Sequence, residues 1–440
     1  MSAVQSRSIV DERRVREISK ILGEPSWLAE KRVQGLAVFD AKPFPFVKDE
    51  GWKYTDPRKI KLDGLALSDG TADMCDEAVT VQALDGFEKM VEAAAVAIHC
   101  NGRFCKMNLP SSWLERGVQV LDWRSAIAKA PDLLKQHFMS GILPNTFDKF
   151  TALHSAAVSG GLVLLVPDGV ELAEPLFSIH WLGAENRLEA PHLLVLCGKN
   201  SSARFVDVFA GPGGGGVALP AYEFNLEPNC RLNYIRLQQV GQQTTILGYQ
   251  KAIVGRDANL ITGVVNLGGR LVRDVIQARM QGSGSEAKLL GAYMPGKGQH
   301  FHHETLQEHA VPYCHSDLLF KGALSGDGRA VFGGMIKVFP GAQKTDAYQK
   351  NRNLILSKEA RADSIPQLEI RADDVKCSHG ATVSQVQENE LFYLQSRGLR
   401  RPAAEELLVF GFIDEVLAKM DWPEIVAPLE CRISARIKQW

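Results

Sequence analysis

Cys377 and His379, near the carboxyl end of the chain, have the types and spacing of a pair of metal ligands. In an extended strand, residues two apart lie on one face about 6.6 Å apart, so a thiolate and an imidazole there could converge on one iron or zinc ion. Two ligands leave such a site incomplete, and a second subunit is a natural source of the others. Val375, Ala381 and Val383 share that face, which is equally typical of packing in a core or at a sheet edge.

A histidine-rich segment is the second candidate for metal chemistry. Its imidazoles are His300, His302, His303, His309 and His315. The spacing departs from HExxH, because Gln307 stands where the second histidine is required. Imidazole suits zinc, iron, copper and nickel, so a zinc- or iron-dependent enzyme built on residues 300–315 is the alternative function. Histidines on polar strand faces and in loops are the commoner explanation of such a cluster.

Motifs for nucleotide binding and for covalent catalysis are absent from the sequence. The glycine-rich segment 211–216 is followed by Val217 and Ala218, where a Walker loop needs a lysine and a hydroxyl residue. We therefore expect a flexible surface turn there and no nucleotide bound by this chain. No GxSxG motif and no distinctive pair of carboxylates occurs, so the sequence predicts no catalytic residue.

Composition narrows the class of protein. Of the 440 residues, 45% are hydrophobic, which is enough for a large core. The formal net charge is −1, so the chain lacks the basic character of a nucleic-acid-binding protein. The first 20 residues lack the apolar stretch of a signal peptide, and no apolar run is long enough to span a bilayer. These features predict a soluble intracellular protein with neither nucleic acid nor membrane as partner.

The pattern of apolar residues divides the chain into three regions. Residues 1–155 are mainly helical in pattern, residues 156–385 consist of short apolar runs bounded by turn residues that predict strands, and residues 386–440 return to helix. In the strand that includes Leu368 and Ile370, these two residues are expected on the buried face. No clean repeat length is present, so a sandwich, a barrel and a β-solenoid all fit.

The helix that follows Pro402 is apolar nearly all round, so its surface must be covered by the chain's own core or by a partner. The apolar residues that would form a docking face are Leu407, Leu408, Phe410, Phe412 and Ile413.

Several segments together resemble the SufB/SufD family of iron–sulfur cluster assembly proteins. The matching stretches are "SDLLFKGALSGDGRAVFGGMIKVFPGAQKTDAYQKNRNLILS" (316–357), "PQLEIRADDVKCSHGATV" (366–383) and "LFYLQSRGL" (391–399), with "EPSWLAEKRVQGLAVF" (24–39) and "GWKYTDP" (51–57) nearer the start. The match is tight over roughly 100 residues of the carboxyl-terminal side, by inspection of these motifs, and looser elsewhere.

Within that family the chain is similar to the SufD-like subunit. SufB-like chains carry an essential cysteine a few residues before the equivalent of Pro366, and Ala360 stands in that place here. They also have glutamates beside the histidine, where this chain has Ser378 and Gly380. The resemblance thus implies that this chain does not supply the main sulfur-accepting thiol.

The resemblance implies a fold and a set of partners. The fold would be mainly β, a right-handed parallel β-helix (156–385) flanked by helical amino-terminal and carboxyl-terminal regions. The chain would be a non-catalytic scaffold subunit bound to a SufB-like sister and to a SufC-like ATPase, and it could form a homodimer when alone. It would act in the cytoplasm, or in the stroma of a plastid.

The same resemblance assigns roles to the residues singled out above. Cys377 and His379 would lie at the interface with the SufB-like sister, where a transient iron–sulfur cluster forms. The apolar helix after Pro402 would dock the ATPase, and a flavin on the whole complex is a further expectation. An imidazole ligand would make cluster binding weaker and dependent on pH, which suits a scaffold that releases its cargo.

Overall fold

Two long β-sheets form the body of the molecule. The computed structural model describes residues 10–70, 82–92 and 94–440. Successive strands alternate between the sheets, in the orders β21-β19-β17-β15-β13-β11-β8-β5-β4 and β22-β20-β18-β16-β14-β12-β9-β6-β2-β3. From β5 onward the pairing along both sheets is parallel. The protein is therefore a parallel β-helix with helices at both ends, which confirms the predicted fold class.

The elements have the following bounds. The helices are α1 Glu12–Leu22, α2 Ser26–Ala41, α3 Glu88–Val91, α4 Ser111–Glu115, α5 Trp123–Lys129, α6 Pro131–His137, α7 Lys149–Ala157, α8 Glu388–Ser396, α9 Arg401–Ala418 and α10 Pro423–Ile437, and short 3-10 turns cover Glu50–Trp52 and Pro57–Lys59. The strands are β1 Ala66–Leu67, β2 Ala95–Cys100, β3 Arg103–Asn108, β4 Gln119–Asp122, β5 Gly160–Val166, β6 Leu176–Trp181, β7 Arg187–Glu189, β8 Pro191–Cys197, β9 Ser202–Gly211, β10 Val217–Ala218, β11 Ala221–Leu226, β12 Arg231–Val240, β13 Thr245–Val254, β14 Asn259–Asn266, β15 Leu271–Met280, β16 Glu286–Tyr293, β17 His300–His309, β18 His315–Leu324, β19 Arg329–Val338, β20 Asp346–Ile355, β21 Arg361–Ile370 and β22 Lys376–Gln385.

Each coil places alternate side chains in the lumen between the two sheets. Apolar residues such as Phe205, Tyr234 and Leu289 belong to one continuous core there, and Phe205 and Tyr234 are ladder neighbours in successive coils. The lumen also holds charge, since Arg236 and Asp274 make an ion pair of 2.5 Å in which both side chains are buried. Packing along the lumen therefore ties the register of each coil to that of the coils beside it.

The amino-terminal region closes one end of the β-helix. Helix α1 begins after Asp11, whose carboxylate accepts the Arg14 N–H at 2.7 Å, and it ends at Gly23 in the left-handed conformation (φ 67°). Helices α2 and α7 pack together and share a core with the outer face of the first sheet. Strands β2, β3 and β4 add to the two sheets, with β3 and β4 antiparallel to their neighbours. The first 155 residues thus contribute strands as well as helices.

The glycine-rich segment 211–216 is a turn in which Pro212 and Gly215 are exposed, which agrees with the predicted surface turn. A Cβ atom on Gly214 would collide with Glu185, and one on Gly216 would collide with the carbonyl of Arg187. The glycines are needed because two coils approach closely at this point.

In the part of the chain that the structure describes, no further coil covers the last one at the carboxyl-terminal end. There β21 pairs only with β19, and β22 pairs only with β20. Leu368 and Ile370 lie on the lumen side of β21, as their alternation predicts, but they are 37% and 40% exposed. The predicted burial is wrong for these two residues because the β-helix ends here.

In the described part of the chain, no helix combines the length and the apolar character needed to cross a membrane.

Candidate functional site

Cys377 and His379 lie on the last strand, β22, at the open end of the β-helix. The parallel register places Cys377 beside Ala347 and His379 beside Gln349 of β20. Residues paired in a parallel ladder point to the same side of the sheet, and Ala347 and Gln349 are both buried in the lumen. The two candidate ligands therefore share the lumen side of β22, at the edge of the uncovered coil.

Their surroundings differ although they share a face. The Cys377 side chain is half-buried against a small apolar cluster that contains Ile336 and Ala347. Burial, and next the nearby charge of Asp346, raise the pKa of the Cys377 thiol above its ordinary value. Cys377 therefore carries a protonated thiol at neutral pH, and it must lose a proton before it can bind a metal. His379 is exposed, so its imidazole is free to meet a ligand from outside.

The outer edge of β22 pairs with no strand of residues 10–70, 82–92 and 94–440 and is almost without charge. The Lys376 N–H donates to the Thr345 carbonyl at 2.8 Å, and in a parallel ladder alternate residues bond to opposite sides. The backbone groups of Cys377 and His379 consequently face the open edge. From Cys377 to Gln385 the strand contains no acidic residue, lysine or arginine. Charges and prolines normally protect such edges against pairing, so this edge is suited to pairing with another chain.

The opposite wall of the open end is β21. Ser364 and Pro366 lie on its lumen side, in register with Phe332 and Gly334 of β19. Ala360 is buried immediately before β21. The wall that faces His379 therefore contains no second thiol of this chain.

Cys377 and His379 are too few to hold a metal ion by themselves. Among the residues that the structure describes, no group of three or more histidine, cysteine, aspartate or glutamate side chains is placed to hold a metal ion. Cys377 and His379 offer one sulfur and one nitrogen ligand at an edge, which fits a site completed by another subunit.

Two histidines of strand β17 are hydrogen-bonded within the chain instead of forming the metal cluster considered above. His300 Nε2 and His302 Nδ1 both contact the hydroxyl of Thr55, at 2.8 and 2.7 Å, and His302 Nε2 contacts Glu304 at 2.7 Å. Burial lowers the pKa of His300 to about 3 and also lowers the pKa of His302, so both rings are neutral. A chain of donors from His300 through Thr55 and His302 to Glu304 satisfies these groups and fixes the 51–57 loop to the β-helix.

The other histidines of this segment point elsewhere. His303 lies on the lumen side and contacts Asn266 at 2.9 Å, and His309 contacts Ser316 at 2.8 Å. His315 begins strand β18 and is near Asp346 of β20, the neighbouring strand in the sheet. The histidine side chains of this segment thus lie on both faces of the sheet and do not converge on one point.

Helix α9 carries the predicted docking residues on more than one face. Ile413 is 1% exposed and packs in the apolar cluster between the helices and the second sheet. Phe412 packs against the same cluster, and its ring lies 4.5 Å from Lys321 Nζ. Leu408 and Phe410 are half-buried, whereas Leu407 is 49% exposed. Ile413 is therefore turned away from any partner in this conformation.

Two exposed aromatic residues beside α9 were not predicted as docking residues. Phe392 and Tyr393 of helix α8 are 73% and 57% exposed. Exposed aromatic side chains are enriched where proteins bind one another. The sequence pattern of this nine-residue helix, with two adjacent aromatic residues, does not reveal which face is uncovered.

The fold and this edge define a class of protein: a parallel β-helix whose last strand presents a cysteine and a histidine on one face. Residues 180–412 match the SufBD core domain of the SUF system for iron–sulfur cluster assembly, and residues 17–177 match the SufBD protein N-terminal region. The chain belongs to the SufBD family, which confirms the resemblance inferred from its motifs.

Individual relatives agree with this assignment. The chain is 27% identical over 442 residues to the iron–sulfur cluster assembly protein SufD of Bacillus subtilis, with 98% of each chain covered. A SufBD family protein of Staphylococcus haemolyticus is 27% identical over 435 residues, covering 94% of this chain and 90% of the relative. One from Mycobacterium leprae is 37% identical over 220 residues, and this match spans 48% of the chain and only 56% of that relative's own length.

Substitution Asp346→Asn should make Cys377 more reactive. Removal of the neighbouring negative charge lowers the pKa of the thiol, so the thiolate fraction at pH 8 rises. We expect faster alkylation of Cys377 by iodoacetamide, measured by mass spectrometry across a pH series. Asp373→Asn is the control, because this exposed carboxylate is close in sequence but is not among the causes of the shift. Equal rates in wild type and Asp346→Asn would contradict the assigned electrostatics.

Proposed function

We propose that this chain is a non-catalytic scaffold subunit that helps to assemble an iron–sulfur cluster at the interface with a SufB-like sister chain. The observation that carries the proposal is the unpaired and nearly uncharged edge of β22, which presents Cys377 and His379 together at the open end of the β-helix. Such an edge exposes backbone donors and acceptors that a second β-helix can satisfy.

The chemistry of the half-site suits a cluster that is built and then passed on. A Cys377 thiol that is protonated at neutral pH binds iron only after it loses its proton, and an imidazole holds a cluster less firmly than a thiolate does. The additional ligands come from the sister chain, since Ala360 provides none on the opposite wall. The cluster is thus the cargo of the complex.

Exposed apolar residues at the open end support the proposal of a sister subunit. Val383, 51% exposed on the lumen side of β22, becomes buried when a second chain covers this end, as do Leu368 and Ile370 of β21. Without a sister chain, two copies of this chain can cover each other's open ends, and a homodimer is the expected state of the isolated protein.

A second surface supports binding of the SufC-like ATPase. Phe392, Tyr393 and Leu407 are exposed apolar residues on α8 and α9. Nucleotide is bound by the ATPase and not by this chain, whose glycine-rich turn is filled by its neighbours. We also propose a cytoplasmic location, or the stroma in a plastid, and a flavin, if present, is held by the assembled complex.

Val383→Lys should weaken association with the sister chain. The lysine stays hydrated in the free chain but loses that hydration at the interface, which costs several kcal/mol when no partner charge is present. We expect loss of the co-purified sister chain at micromolar concentration in size-exclusion chromatography with light scattering. Thr382→Lys adds the same charge to the outward face of the same strand and should leave association nearly unchanged. Equal binding by both variants would count against pairing at this end.

His379→Ala should reduce the cluster bound to the complex. The chain would be co-expressed with its SufB-like and SufC-like partners and purified without oxygen, and iron, acid-labile sulfide and charge-transfer absorbance would be measured per complex. We expect an assembled complex with several-fold less iron and sulfide, because one ligand is lost. His137→Ala on helix α6 is the control. Full cluster content in His379→Ala would place the site on the partner alone.

The double substitution Phe392→Ser, Leu407→Ser should impair docking of the ATPase. Both side chains are exposed, so folding should be unaffected, whereas loss of an aromatic anchor at an interface typically costs about 2 kcal/mol or more. Binding of the purified SufC-like ATPase would be measured by calorimetry, with an expected loss of at least about 30-fold. Leu114→Ser, an equally exposed apolar position in the amino-terminal region, is the control, and retained affinity in the double variant would reject this surface.

A further inference from the structure

A buried amide without hydrogen bonds lies next to the proposed site. Gln349 of β20 is 1% exposed, and neither its side-chain oxygen nor its side-chain nitrogen has a hydrogen-bond partner among the described residues. Leaving such a group buried and unpaired typically costs about 1–3 kcal/mol. The parallel register places Gln349 directly beside His379, at a backbone separation of about 4.8 Å.

The structure makes room for this amide. A Cβ atom on Gly334, in the facing sheet, would lie within 2.8 Å of Gln349 Oε1. Gly334 has no positive φ, so its backbone conformation is open to any residue and only the space explains the glycine. The Gln349 side chain therefore reaches across the lumen over Gly334, one coil below the open end.

A further unpaired polar atom lies on the opposite wall of the open end. Ser364 Oγ is buried without a partner on β21, on the lumen side and two residues before Pro366, which is the ladder neighbour of Gly334. The lumen under His379 is therefore polar on both walls and has unused hydrogen-bonding capacity. By contrast, Gln238, deeper in the lumen, uses both ends of its amide in bonds of 2.8 and 3.0 Å with the backbone of Gly268.

We propose that Gln349 is the positioning residue for His379. When the sister chain covers the open end, the imidazole turns into the lumen and donates one ring N–H to Gln349 Oε1. The other ring nitrogen is then presented to iron. This inference rests on the proposed role of His379 as a cluster ligand.

The chemistry of metal-bound histidines supports this role. A histidine ligand commonly donates its second ring N–H to a carbonyl or carboxylate, which fixes the orientation and the tautomer of the ring. The neutral amide of Gln349 provides such an acceptor without adding charge to the lumen. Its N–H groups remain available to a cluster sulfide, and hydrogen bonds to sulfur adjust the properties of a bound cluster. The amide is unpaired in the free chain because its partner arrives only on assembly.

The first part of the test uses the complete complex purified without oxygen. Gln349→Met keeps the length of the side chain and removes the acceptor, whereas Gln349→Glu keeps an acceptor oxygen. We expect Gln349→Met to assemble normally but to lower iron and acid-labile sulfide about 10-fold or more, as loss of an outer-shell partner commonly does, and Gln349→Glu to restore most of both. Adding Gln349→Met to His379→Ala should cause no further loss.

The second part of the test uses the isolated chain and requires no cluster. Because the Gln349 amide has no partner in the free chain, Gln349→Met should leave the thermal unfolding midpoint unchanged or raise it. Gln238→Met, the matched control, should lower the midpoint, since it breaks two buried hydrogen bonds. A marked drop for Gln349→Met would mean that the amide supports the fold, and it would overturn the inference.

The outcomes separate this inference from the proposed function. If His379→Ala loses the cluster while Gln349→Met keeps it, the positioning role is wrong and the site at His379 stands. If both variants keep a full cluster, the proposed site itself fails. Reduced assembly of the complex by Gln349→Met would identify a packing role, and a failure of Gln349→Glu to restore the cluster would exclude the acceptor oxygen as the cause.

Discussion

The hydrogen-bond ladder between successive coils is the interaction on which the rest of this structure depends. Each strand obtains its backbone partners from the coils before and after it, and each lumenal side chain is covered by its neighbour in the next coil. At each end of the β-helix, the last strand of each sheet must therefore either stay unpaired or be capped by another element. The amino-terminal end is closed by β3 and β4, which turn antiparallel, while β21 and β22 remain open. The position of the candidate site follows from this asymmetry.

The open end explains why residues with the same alternation have different surroundings. Cys377 is half-buried because the turn before β22 and the cluster around Ile336 cover it, whereas His379 and Val383, further along the strand, have no coil above them. A thiol kept protonated by burial and an exposed imidazole then lie side by side. Neither holds a metal firmly alone, which agrees with a site that is completed and released through assembly.

Polar groups inside the β-helix have two different roles. The Arg236–Asp274 ion pair and the Gln238 amide are paired within the chain, so they specify how the coils stack. Gln349 is buried without such partners at the last covered coil. Unsatisfied buried groups are few in native proteins and often mark function, and this one lies where a partner chain would complete the lumen. The helices α9 and α10 cover the outer face of the second sheet and leave this end uncovered.

The sequence by itself determined a mainly β protein with helical flanks and the spacing of Cys377 and His379, because local alternation is encoded by neighbouring residues. Its short motifs added the resemblance to the SufBD family, and only that resemblance chose the β-helix among the possible β folds. Only the tertiary structure decided that Leu368 and Ile370 are exposed, that Thr55 joins two histidines about 245 residues away, and that Gln349 lies beside His379. The register between coils depends on turn geometry and lumen packing accumulated over the whole β-helix. No local pattern records which residues thirty positions apart become neighbours, or which coil is the last.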